Sequence, residues 1–113
     1  MTAEQRQFDR VPHSVPLYWR RLDDRTGRWI EALTLNVSAS GMVLQSRTLF
    51  EVGTMLELRI ALSDTSDPLF LRGRVVWHKP GGLIQHGVAF VDVTPDQQAS
   101  IDELVQFLNK RVL

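Results

Sequence analysis

The sequence predicts an all-β-dominated domain, a six-stranded antiparallel barrel with a C-terminal α-helix, and three observations carry that expectation. Apolar and polar residues alternate with period two from about residue 15 to 92, the spacing that buries one face of a strand. The alternation breaks at clusters of Gly, Pro, Asp and Ser, the residues that turns use. After Asp92 the apolar period becomes helical. No helical pattern separates the strands, and closing a small sheet into a barrel removes its exposed edges.

The elements follow in order. Val15, Leu17 and Trp19 alternate with Pro16, Tyr18 and Arg20 in a first strand that ends at the polar turn Asp23-Asp24-Arg25-Thr26-Gly27. A second strand runs from about Trp29 to Leu35, and the segment Asn36 to Gly41 turns the chain into Met42, Val43 and Leu44. Glu51-Val52-Gly53 marks the next turn. Leu56, Leu58, Ile60 and Leu62 then form one face of a half-buried strand, with Glu57 and Arg59 on the other. Beyond the loop from Ser63 to Pro68, a long fifth strand carries Leu69, Leu71, Gly73, Val75 and Trp77 in one phase. That phase puts Trp77 in the core with Leu71 and Val75. Pro80-Gly81-Gly82 turns the chain again, and Ile84, His86, Val88 and Phe90 mark a sixth strand.

The helix has a readable start. Thr94 is an N-cap, Pro95 sits at the first helical position and Gln97 at the third, a capping-box arrangement. Ile101, Leu104, Val105 and Leu108 form one stripe expected to pack on the barrel, and Lys110 and Arg111 lie toward the negative end of the helix dipole.

Composition narrows the function. A chain of 113 residues, 43% hydrophobic and 23% charged, is expected to be one globular domain with a core of its own. Thirteen basic residues balance thirteen acidic ones, so no net field drives binding to nucleic acid or anionic lipid, and any anion site must be local. There is no cysteine, which excludes disulfides and thiolate metal sites. No apolar run approaches the ~20 residues of a membrane helix, and the first residues do not read as a signal peptide, so a cytoplasmic location is expected. His13, His78 and His86 are too scattered for metal ligation and are expected to be solvated or partly buried. No nucleophile elbow, phosphate-cradling glycine loop or other catalytic constellation is present, and an enzyme is not expected.

Two short motifs suggest a ligand. Arg6 and Arg10 enclose Gln7-Phe8-Asp9 just ahead of the first strand. Each guanidinium offers a planar fork of donors suited to a phosphate or to the O6/N7 edge of guanine. Asn36-Val37-Ser38-Ala39-Ser40-Gly41 supplies an amide, a hydroxyl and a glycine where backbone turns or a ligand approaches closely. Turns also use these residue types for backbone reasons alone. Arg21 and Arg25 repeat the arginine spacing, but Asp23 and Asp24 between them partly neutralise that pair.

R-x-x-x-R followed by N-x-S-x-x-G resembles the signature of the PilZ domain, a family of small bacterial β-barrels that bind cyclic di-GMP, and the resemblance extends over nearly the whole chain. It implies a cyclic di-GMP receptor without other cofactor, in which residues 1–14 form a flexible clamp ahead of a barrel and helix at 15–113. Arg6 and Arg10 would contact phosphate and the guanine edge. Asn36 and Ser38 would bond guanine from the barrel, and Gly41 would let the backbone pass close beneath the ligand. Gln5 stands where the family pattern bears on whether one ligand or an intercalated pair is bound. Asn36 replaces the aspartate of many relatives, and its neutral amide forms a weaker bond to a guanine N–H.

A one-domain receptor needs an effector protein as its output, and nothing in the sequence names that partner or the oligomeric state. The alternative is a nucleotide-independent interaction module of pilus, flagellar or signalling machinery. An oligonucleotide-binding barrel is disfavoured by neutral charge and by the lack of a basic, aromatic-rich strand face. The sequence leaves open whether Arg21, Arg25, Arg28, Arg74 or Trp77 adds to the site.

Overall fold

The computed structural model of the chain describes residues 15–61 and 67–112. Six strands, β1 (Val15–Arg21), β2 (Ile30–Val37), β3 (Gly41–Ser46), β4 (Met55–Ile60), β5 (Leu69–Lys79) and β6 (Ile84–Val91), precede one helix, α1 (Pro95–Val112). The strands close into a barrel in the order β1-β2-β3-β6-β5-β4, and every neighbouring pair is antiparallel. The expected architecture is therefore present. Leu62, His13 and the side chains of Leu108, Lys110 and Arg111 lie outside the described residues.

Strand alternation builds the interior. Leu17 of β1, Leu44 of β3, Leu56, Leu58 and Ile60 of β4, and Val75 of β5 are all fully buried, each contributing about 1.5–3 kcal/mol of apolar burial. Phe50, from the β3–β4 connection, is fully buried as well. Its ring meets Trp19 edge-on at 4.5 Å and lies 4.8 Å from the His86 ring. His86 is fully buried, contrary to the expectation of a solvated or partly buried imidazole. It sits on the inward face of β6 opposite Leu44, where its Nε2 accepts the Phe50 backbone N–H at 3.1 Å. Its Nδ1 finds no partner. Burial pushes the imidazole below the ordinary histidine range, and nearby His78 acts in the same direction.

The helix begins as its capping box predicts. The Thr94 N–H donates to Gln97 Oε1 at 2.8 Å, and the Gln97 N–H donates to Thr94 Oγ1 at 3.1 Å. Ile101 and Leu104 are buried against the barrel, with Val105 packed beside them. Two glutamines moor the first turn. Gln97 Nε2 donates to the Phe70 carbonyl at 2.9 Å, and Gln98 Nε2 donates to the Ala39 carbonyl in the β2–β3 turn at 3.1 Å.

Two expectations about β5 are corrected. Trp77 is 42% exposed rather than in the core, because the register shifts between Val75 and Trp77. The extra residue, Val76, reverses the side-chain phase. The second correction concerns the outer wall of β1, β4 and β5, which does carry a basic, aromatic-rich face. Tyr18, Arg59 and Phe70 come together there as cross-strand neighbours.

Candidate functional site

A second irregularity aims Asn36. The β2–β3 register shifts between Thr34 and Asn36, so that Thr34 points into the core at 2% exposure while Asn36 turns outward. The buried Thr34 hydroxyl secures this bend, lying 3.0 Å from the Asn36 carbonyl and 3.1 Å from the Val43 carbonyl. Both are acceptors for its single proton.

Pairing across four strands then makes one outward row. Asn36 lies opposite Val43, Val43 opposite Gly87, and Gly87 opposite Trp77. Residue 87 has no side chain, and its neighbour on β5 fills the space this leaves. A Cβ at that position would lie 2.0 Å from Trp77 Nε1, so the indole occupies the space over the Gly87 backbone. The next outward row is Gly41, Ala89 and Arg74, which sets the exposed Arg74 beside the first.

The β2–β3 turn forms the rim. The Ser38 N–H donates to the Gly41 carbonyl at 2.8 Å, the Ser38 hydroxyl donates to the same carbonyl at 3.2 Å, and the Ser40 N–H approaches Ser38 Oγ at 3.4 Å. Ser38 thus holds its own turn while remaining exposed to solvent. Gly41 has a packing reason to be glycine, since a Cβ there would stand 2.4 Å from the Val88 carbonyl oxygen. Asn36, Ser38, Gly41, Val76 and Trp77, with the strand backbone between them, line an open cavity of about 260 Å³. That is below the ~300–1,000 Å³ of ordinary small-molecule sites, so a ligand seated there needs cover from another segment.

The structure places Asn36, Ser38 and Gly41 along one cavity, and it adds Trp77, which the strand phase puts inside. A glycine opposite a tryptophan on adjacent strands is the signal in the sequence, but it becomes readable only once the β5–β6 register is known. Arg6, Arg10 and Gln5 lie outside the described residues. Arg21, Arg25 and Arg28 are not brought to the cavity. They belong to the β1–β2 hairpin at the start of β2, and the 8 residues of that strand separate them from the site by about 25 Å. Arg21 Nε is paired with Asp23 at 3.1 Å. Among the described residues no cluster of three or more His, Asp or Glu could hold a metal ion, and no helix is long and apolar enough to cross a membrane.

The sequence profile of the PilZ domain family matches residues 4–107, a span that includes both arginine and asparagine motifs. The chain belongs to the PilZ domain family. Solved structures repeat the barrel and helix of this PilZ domain. The PilZ domain of CeSA from a cellulose-synthesizing bacterium superposes with a TM-score of 0.66 at 18% identity, over 87% of this chain and 95% of that one. The PilZ domain of YcgR from Escherichia coli, solved with c-di-GMP, gives a TM-score of 0.66 at 9% identity over 88% and 90%. The Bacillus subtilis inhibitor of motility MotI/DgrA gives 0.66 at 17% identity, with 88% of this PilZ domain matching 46% of that chain. No curated protein matches the chain by sequence.

Proposed function

We propose that this PilZ domain is a cyclic di-GMP receptor that signals to a partner protein in trans and catalyses no reaction. The observation that carries the reading is the outward row that has Asn36 at one end and, at the other, the Trp77 indole lying over the Gly87 backbone. An amide that can bond a guanine edge shares one outer surface with a ring on which a base can stack, an arrangement suited to a purine. Ser38 adds a hydroxyl at the rim, and Gly41 keeps the backbone close beneath.

In this reading Arg6 and Arg10, just ahead of β1, fold over the shallow cavity and supply the missing cover. Their guanidiniums grip phosphate and the second guanine edge, and Arg74 stands close enough to contribute charge. A few charge-assisted hydrogen bonds at about 1.5–3 kcal/mol each, together with stacking, leave the ~8 kcal/mol of micromolar affinity after ordering costs. Ligand selects the closed arrangement of residues 1–14. The closed surface is what the effector reads.

One observation favours a second reading, a nucleotide-independent interaction module. Ser38 and Gly41 both have complete structural duties in the β2–β3 turn, so they need no ligand to account for them. Isothermal titration with cyclic di-GMP, with GTP and cyclic di-AMP as controls, separates the two. Selective binding at micromolar or tighter affinity supports the receptor, and the ligand ratio distinguishes a single molecule from an intercalated pair. No heat at high ligand concentration leaves the interaction module.

A further inference from the structure

The wall of the barrel opposite the β3–β6 seam carries a second built surface. Tyr18 of β1, Arg59 of β4 and Phe70 of β5 stand side by side on three adjacent strands, with Arg20, Glu57 and Arg72 in the parallel row. The Arg59 guanidinium lies 4.4 Å from the Tyr18 ring centroid and 4.9 Å from that of Trp29. Arg20 covers Trp29 at 4.2 Å and is ion-paired with Glu57 at 2.8 Å. Arg59 and Arg72 form no ion pair among the described residues. Phe70 is 52% exposed. Even counting Glu31 beside Tyr18, guanidiniums outnumber carboxylates among the described residues of this wall, in a chain with zero formal net charge.

This chemistry selects an occupant. A guanidinium stacked on a ring is held in one plane, so its fork of donors is pre-organised and little freedom is lost when it grips a carboxylate. Arg, Trp and Tyr are the side chains that dominate binding energy at protein interfaces, and the exposed Phe70 offers an apolar anchor beside them. The guanidiniums already cover the Tyr18 and Trp29 rings, which disfavours stacking of nucleobases. We infer that this wall docks an acidic protein segment, whose carboxylates bind Arg59 and Arg72 while a large apolar side chain packs on Phe70. The surface is separate from the Asn36–Trp77 cavity and does not depend on what that cavity binds.

The test is a random-dodecapeptide display selection against the full chain, with enriched peptides then synthesised and titrated by fluorescence anisotropy. The expected peptides carry two or more Asp or Glu next to Leu, Ile or Phe. They bind about tenfold or more weakly to Arg59→Gln, Arg72→Gln and Phe70→Ser, and unchanged to Trp77→Ala. Arg72 and Phe70 are exposed, so their variants keep the fold, which circular dichroism checks, even if Arg59→Gln does not. Selection that enriches no acidic family, or peptides indifferent to all three substitutions, overturns the inference. So does binding of oligo(dT), or self-association in sedimentation, that is lost in the same variants.

Discussion

Asn36 and Trp77 are remote in sequence and lie on different strands, yet they face the same way at the two ends of one row, and each is aimed there by its own β-bulge. Without the shift at Thr34/Asn36 the asparagine would point into the core. Without the shift at Val75/Trp77 the indole would do the same. Bulges near binding sites re-aim side chains at the cost of ladder regularity, and here the buried Thr34 hydroxyl holds one of them.

Trp77→Ala should therefore weaken cyclic di-GMP binding by about tenfold or more, the equivalent of ~1–3 kcal/mol for a lost base stack. Stability should fall less than for a core residue, because the ring is partly exposed and packs over Gly87. Titration calorimetry alongside a thermal melt checks both, and an unchanged affinity would remove Trp77 from the site.

Gly41→Ala and Gly87→Ala should fail differently. The Cβ at 41 meets the Val88 backbone carbonyl, which cannot move aside without opening the β3–β6 seam. A loss of about 1–3 kcal/mol and a clear fall in Tm are expected. The Cβ at 87 meets only the Trp77 indole, which can swing into solvent. Its stability cost should be smaller and its loss of ligand affinity close to that of Trp77→Ala.

Arg6→Ala or Arg10→Ala should weaken the ligand at least about tenfold, given ~1.5–3 kcal/mol for a charge-assisted bond. Arg21→Ala and Arg25→Ala should leave it unchanged, since their hairpin lies at the other end of β2. Equal losses at all four positions in a titration would show that bulk charge, not site geometry, holds the ligand.

His86 predicts a pH dependence. Its folded-state pKa is lowered by burial, so the unfolded chain binds the proton more readily. Stability is complete above the ordinary histidine value of about 6.5 and falls as pH drops below it, because protonation costs the Nε2 acceptor of the Phe50 N–H. Tm should decline as pH drops below about 6.5. His86→Gln can keep an acceptor but cannot titrate, and should flatten that decline. A slope unaltered in this variant would assign it to other groups.

Much of this protein was legible along the chain. The period-two alternation located six strands, Thr94 and Gln97 located the helix start, and the Asn36 to Gly41 segment located one side of the cavity. All of these are local signals, set by side-chain phase, turn chemistry or capping within a few residues. What the tertiary structure alone decided is which way individual side chains face and which distant residues become neighbours. A bulge in β5 turned Trp77 outward against its sequence phase. Barrel closure joined Tyr18, Arg59 and Phe70 into one wall, and core packing buried His86. Register and closure come from pairing between strands that are remote in sequence, and a single extra residue in one strand inverts every side chain beyond it.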